Sequence, residues 1–147
     1  MIDIEKAIPH RPPFLFVDRV IEVTKDKIVT EKDLTPDLDF FKGHYPGFPI
    51  MPGALTCECA FQAGAILLSE IMKNENMKGA PVITRIRDAR FKRMVKPGET
   101  LKISVELTDR IDIAFFLKAR AKVGDETAAM ISFTCAVAPM PGNKSLV

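Results

Sequence analysis

His44, Glu58 and Gly53 are the residues around which chemistry can be built. His44 is one of two histidines in 147 residues. It stands on the loop Gly43-His44-Tyr45-Pro46-Gly47-Phe48-Pro49-Ile50-Met51-Pro52-Gly53, stiffened by prolines and open to close backbone approach at its glycines. So much local restriction suits a histidine whose position matters, and a partly buried imidazole stays neutral and accepts a proton. Capping of a loop backbone group is the plainer role for a lone histidine. Glu58 is the only charge in the apolar run 54–68. A carboxylate in such a run finds a partner or keeps its proton, because ionising it unpaired carries a large desolvation cost. With its proton it is a general acid. With a partner, such as a backbone group, Arg11 or Arg19, it is structural.

A helix beginning at Pro52 would aim the free amides of Gly53 and Ala54 out of its positive end, a ready anion site. Base, acid and oxyanion donor together suit proton abstraction beside a carbonyl, followed by loss of a leaving group. Gln62 follows Glu58 by one helical turn on the same face. It either orients Glu58 or satisfies helix packing, and both remain open. His10, between Pro9 and Arg11-Pro12, suits pinning a strand entrance better than touching substrate. The basic residues Arg85, Arg87, Arg90, Lys92, Arg93 and Lys96 form solvated strand faces or attract an acidic carrier or phosphorylated arm. Cys57, Cys59 and Cys135 lack zinc or redox spacing and fit buried small hydrophobes.

Periodicity places these residues on elements. Residues 2–8 form a short opening helix that stops before Pro9. The stretches 14–23 and 28–33 are strands joined by a turn at 25–27. A loop then leads through Phe40-Phe41 to His44. The run from Pro52, about 20 residues and apolar on nearly all sides, is a long central helix. Four strands follow at 82–93, 100–110, 111–123 and 126–137, with turns at 96–98, 109–112 and 124–125. Short turns between consecutive strands predict an antiparallel meander. Residues 139–147 form a loose tail. The architecture is α+β, a curved antiparallel sheet wrapped around one long helix in a single domain, 1–147. An open sheet edge and an apolar helix short of cover predict a homodimer at minimum.

Composition narrows the classes. The 21 basic and 19 acidic residues give a net charge of +2, which argues against nucleic-acid binding. Glu58 interrupts the best apolar run, so no membrane span is expected. The first residues lack a signal-peptide layout, and a cytoplasmic bacterial-type enzyme and an untagged mature chain both fit.

The loop 43–53 with Glu58 and Gln62 resembles the active-site signature of the 3-hydroxyacyl-acyl carrier protein dehydratases. Pro9-His10-Arg11-Pro12-Pro13-Phe14-Leu15-Phe16-Val17-Asp18-Arg19-Val20, and Ala89-Arg90-Phe91-Lys92-Arg93 with Pro97-Gly98-Glu99, resemble two further family motifs. The resemblance spans about residues 3–138. It implies the hot-dog fold and a hydro-lyase of the branch that dehydrates without isomerising, in which glutamate stands where the isomerising branch has aspartate. It implies His44 as base, Glu58 of the partner subunit as acid, and the Gly53 amide at the enolate-like oxygen. It also implies a dimer, commonly a trimer of dimers, and a cis peptide after His44. The substrate brings its own phosphopantetheine on acyl carrier protein, so neither metal nor redox cofactor is expected. Phe61, Ile66 and Leu67 are candidates to line the acyl channel, with core packing as their other role; Arg90, Lys92, Arg93 and Lys96 are candidates to meet the carrier. The stretch 56–62 around the acid and Met94 depart from the family pattern, which bears on the width and length preference of the acyl channel. The competing readings are a hot-dog thioesterase, a hydratase of coenzyme A thioesters, and a non-catalytic acyl-thioester binding module.

Overall fold

The computed structural model describes residues 1–140. In chain order its elements are α1 (Ile4–Ala7), β1 (Arg19–Val23), β2 (Lys27–Asp33), α2 (Asp39–Lys42), α3 (Gly53–Asn74), β3 (Ala80–Phe91), β4 (Thr100–Ile111), β5 (Ala114–Val123) and β6 (Glu126–Ala138). Asp3 caps α1 by accepting the Lys6 amide. Pro52 stands at the N-cap of α3, one residue before the helix, and not within its first turn. Glu75 closes the helix 22 residues on, its amide donating to Ile71. By length and composition α3 could cross a membrane, contrary to the expectation from sequence, yet most of its apolar window is packed inside the domain. The loose tail expected at 139–147 lies, beyond Met140, outside the described residues.

The six strands form one antiparallel sheet in the order β1-β2-β4-β5-β6-β3. Alternation decides which side each residue takes. Leu101, Ile103 and Val105 of β4, Phe115, Leu117, Ala119 and Ala121 of β5, and Ile131, Phe133 and Cys135 of β6 face the helix and are buried. From α3 they meet Cys59, Ala60, Ala63, Ile66, Leu67 and Leu68, each wholly inaccessible. Gly64 lets the sheet come close: a Cβ there would stand 3.0 Å from the Phe133 ring. The α+β curved sheet around one helix is what the pattern of elements predicted.

Four local expectations need correcting. The strand expected at 14–23 begins only at Arg19. The Phe16 amide and Phe14 carbonyl are instead taken by the Gln62 side chain, at 2.7 and 2.9 Å, so that stretch has no ladder to join. The four-strand meander holds for β4, β5 and β6 but not for β3, which pairs with β6 on the far edge. Residues 96–98 therefore end a crossing and not a hairpin. The crossing segment is tied down by Met51 to Val95 (2.7 Å), Leu34 to Glu99 (2.9 Å) and Gly98 to Leu34 (2.6 Å) backbone bonds, and by burial of Val95. Short connection length had suggested a hairpin, and these tertiary bonds override it. Between β4 and β5 the turn falls at Asp112, with φ +55, at the end of the expected 109–112, because β4 runs on to Ile111; aspartate tolerates that left-handed conformation. Finally, the loop before His44 contains the short helix α2, with Phe41 buried beneath it.

The crossing also carries an ion pair with a calculable consequence. Arg93 donates to both carboxylate oxygens of Glu99, at 2.9 and 2.8 Å, and the Lys96 amide adds a third bond at 2.9 Å. The Arg93 guanidinium holds the Glu99 carboxyl below its ordinary range, against desolvation. A depressed folded-state value means the stabilisation is present above the unfolded value near 4.3 and fades as pH falls through the folded one. Urea unfolding at a series of pH values should show Glu99→Gln less stable than wild type by about 1 kcal/mol at pH 7. The gap should close on acidification below pH ~4.3.

Candidate active site

The conformation of His44 follows from its neighbours. Helix α2 stops at Gly43, and the chain then turns sharply, Tyr45 taking φ +54 and its carbonyl accepting the Phe48 amide at 2.8 Å. The peptide after His44 is not cis; among the described residues the only cis bond is Pro12–Pro13. The left-handed Tyr45 makes the turn instead, a conformation disfavoured for a residue with a side chain. Lys96 lies over the Phe48 ring, 5.8 Å from its centroid, pressing the loop to the β3–β4 crossing.

His44 Nδ1 lies 2.9 Å from the Ile50 carbonyl oxygen. A carbonyl only accepts, so Nδ1 carries the hydrogen and Nε2 of the neutral ring keeps its lone pair. His44 is thereby set up as a proton acceptor at one defined nitrogen. It shares a pocket of about 630 Å³ with Tyr45, Met51, Gly53, Thr56, Phe91 and Val95, among others. Gly53 opens α3, and its amide has no partner within the helix, because Leu55 and Thr56 supply the first donors to Pro52. Glycine lets the ring come close here: a Cβ would stand 2.9 Å from the tip of the exposed Phe91 ring, which would have to give way. Ala54, the other expected amide donor, is exposed and outside this pocket.

Glu58 is elsewhere. It is not among the residues lining the His44 pocket. Nor is it sunk in the core: it lies on a stripe of α3, with Ala54, Phe61, Ala65 and Ser69, that the chain's own sheet leaves partly uncovered. Arg11 does not pair with it, donating instead to the Ile8 and His10 carbonyls and to Glu5. Arg19 is also committed elsewhere, to Asp33 and Glu31, and the Asp33 carboxyl is held down at about 2 by that guanidinium. Gln62 donates to Glu58 Oε2 at 2.9 Å while donating to Phe14 and accepting from Phe16. Both roles left open for Gln62 are therefore combined in one wholly buried side chain. His10 was set aside as a strand pin, yet its Nε2 stands 3.6 Å from Glu58 Oε2. A histidine between prolines carries no periodic signal, and its proximity depends on the Gln62 anchor, which the sequence does not show.

The remaining expected residues divide by burial. Ile66 and Leu67 are fully enclosed, and Phe61 packs edge-on against Phe133 at 5.0 Å. None of the three lines the pocket, so within one chain they are packing residues and not channel walls. Lys92 and Arg93 do border it, but Arg93 is engaged by Glu99 and Glu126, and Arg90 by Asp88. Lys92 is the exposed cation at the rim. The three cysteines are buried and free; burial pushes the Cys59 and Cys135 thiols up to about 12, so neither is a ready nucleophile.

Residues 8–132 match the FabA-like domain. The chain is 39% identical over 140 residues to a 3-hydroxyacyl-acyl carrier protein dehydratase FabZ of Koribacter versatilis, covering 95% of this chain and 89% of that one. Similarity extends to proteins of the same name from Clostridium perfringens, 42% over 127 residues with 86% and 89% covered, and Streptococcus mutans, 38% with 93% and 99% covered. Among solved structures, the dehydratase heterocomplex ApeI:P of Xenorhabdus doucetiae superposes with a TM-score of 0.80 at 14% identity, covering 94% of this chain and 92% of that one. An uncharacterized protein of Pyrococcus horikoshii gives 0.71 at 17%, covering 95% and 97%.

The Gln62 anchor can be tested alone. Gln62→Met keeps the length but leaves the buried Phe16 amide without an acceptor, at a cost of about 1–3 kcal/mol. Chemical denaturation should show that loss, and hydrogen exchange should show it as faster exchange at the Phe16 amide.

Proposed function

The chain belongs to the FabA-like dehydratase family, and from that premise we propose how its residues remove water from a 3-hydroxyacyl chain. The protein is a hydro-lyase that dehydrates 3-hydroxyacyl-acyl carrier protein in fatty-acid synthesis, as the names of its relatives over most of its length support. His44 Nε2 takes a proton from the carbon beside the thioester carbonyl. The Gly53 amide, at the positive end of α3, steadies the enolate-like oxygen. Collapse of that intermediate expels the 3-hydroxyl, Glu58 supplies its proton, and water and a trans-2-enoyl thioester leave. Acid and base groups so placed contribute about 10²–10⁴ each. The observation that carries this reading is the Ile50 carbonyl on His44 Nδ1, which leaves Nε2 as the basic nitrogen in the pocket that Gly53 also lines.

The acid comes from a second copy of the chain. Within one chain Glu58 lies outside the His44 pocket, on the uncovered stripe of α3. Strand β3 is an open edge carrying exposed Val82, Ile83, Ile86 and Phe91. An edge of this kind is stable in water when paired or covered, and we assign it to a homodimer that brings Glu58 of one protomer to His44 of the other, with a trimer of dimers as the larger assembly. The carrier approaches over the pocket rim, where Lys92 supplies positive charge, with Arg90 and Lys96 near it along the chain. The thioester arm arrives with the substrate, the steps call on no cofactor, and we place the reaction in the cytoplasm.

Enoyl absorbance with a 3-hydroxyacyl carrier substrate tests the roles: His44→Ala and Glu58→Gln should each lose about 10²-fold or more in kcat. Full activity in either, or thiol release without enoyl formation, would overturn the assignment. The shared site has its own signature. Co-refolding the two inactive variants should restore about a quarter of wild-type activity, since half the dimers are mixed and each holds one intact site of two. No recovery would place both residues in one chain.

A further inference from the structure

His10 stands against Glu58 for a reason that packing does not supply. Its ring stacks on Phe14, centroids 6.3 Å apart, and its Nδ1 is buried with no hydrogen-bond partner. An apolar ring would fill the same place without burying an unpartnered nitrogen. What the imidazole adds is Nε2, 3.6 Å from Glu58 Oε2. A hydrogen on Nδ1 would be a buried donor facing no acceptor, so the ring's hydrogen belongs on Nε2, directed at the carboxyl. Gln62 Nε2 donates to that same oxygen at 2.9 Å. Oε2 therefore accepts one hydrogen bond, from Gln62, with the His10 N–H facing it just beyond hydrogen-bond length, and no hydrogen bond reaches Oε1 among the described residues.

We propose that His10 is a positioning residue for the dehydration: beside the Gln62 hydrogen bond its N–H faces Oε2 of Glu58, so that the acid's proton sits on Oε1, the oxygen left free to meet the departing hydroxyl. A carboxylic acid places its proton on the oxygen that is not already accepting, because a hydrogen on Oε2 would collide with the Gln62 donor and face the His10 N–H as well. His10 itself exchanges no proton with substrate. Its effect is to select one of two otherwise equivalent protonation sites, and it comes from the segment before β1, which Gln62 anchors to α3. The inference rests on the acid role proposed for Glu58.

The test uses the full chain with His10→Phe, which keeps the ring on Phe14 and removes the donor, and His10→Gln, which restores a donor. Steady-state dehydration should show kcat lowered about tenfold in His10→Phe with KM held within about twofold. The melting temperature should not fall, since a buried unpartnered nitrogen has been removed, and His10→Gln should recover part of kcat. Nitrogen-15 NMR of the wild-type ring should show hydrogen on Nε2, with a shift that moves in Glu58→Gln. Wild-type kcat in His10→Phe, or a loss matched by lower stability and not relieved by His10→Gln, would overturn the proposal. Wild-type protein that forms no enoyl product would overturn the dehydratase reading instead; the NMR arm then decides the pair, and a ring signal indifferent to Glu58→Gln would overturn it.

Discussion

A fully buried amide side chain must find a partner for each of its polar atoms, and at Gln62 that requirement organises half the site. Its carbonyl takes the Phe16 amide, and its two amine hydrogens go to the Phe14 carbonyl and Glu58. Those bonds pull the segment after the prolines onto α3, and the segment brings His10 to Glu58. The same bonds end β1 early, since an amide held by a side chain cannot also join a ladder. The orientation of Glu58 and the shortness of the first strand have one cause.

The base half has a different anchor. His44 depends on the Ile50 carbonyl, Ile50 precedes Met51, and Met51 is bonded to Val95 in the β3–β4 crossing. The crossing is held in turn by Arg93 and Glu99. Helix α3 joins the halves: its first residue, Gly53, lies in the His44 pocket, and Glu58 and Gln62 follow along its length. A helix is rigid on the scale of one turn, so Gly53 and Glu58 of one chain keep a fixed separation, and on the proposed pairing that separation links the site Gly53 lines to the neighbouring site Glu58 serves.

Much of this was legible in the sequence because it is written in local or periodic signals. The long helix, β4 through β6 and the burial of the cysteines follow from apolar spacing, and His44 stood out through the prolines and glycines beside it. Long-range bonds were not legible. The Gln62–Phe16 contact spans 46 residues, and nothing near Phe16 distinguishes a strand from a stretch bonded to a helix. The placement of β3 beside β6 likewise depends on partners for Val95 and Glu99 that no periodicity encodes. His10 was undervalued for the same reason: its meaning lies entirely in a residue 48 positions away.

The proposed division of the two halves between protomers explains features that otherwise look like defects of a single chain. Exposed apolar residues along an edge strand invite uncontrolled pairing, and a partly uncovered carboxylate on an apolar helix wastes burial. On the proposed pairing both are covered by the same event, and the hydrophobic gain of covering β3 supplies the free energy that desolvates Glu58. On that pairing the single chain leaves Glu58 partly exposed and apart from the His44 pocket, so neither bears the cost of an assembled acid–base pair during folding. On the same proposal, catalytic geometry appears only with the partner, and the stability of the interface and the competence of the site become one property of the assembly.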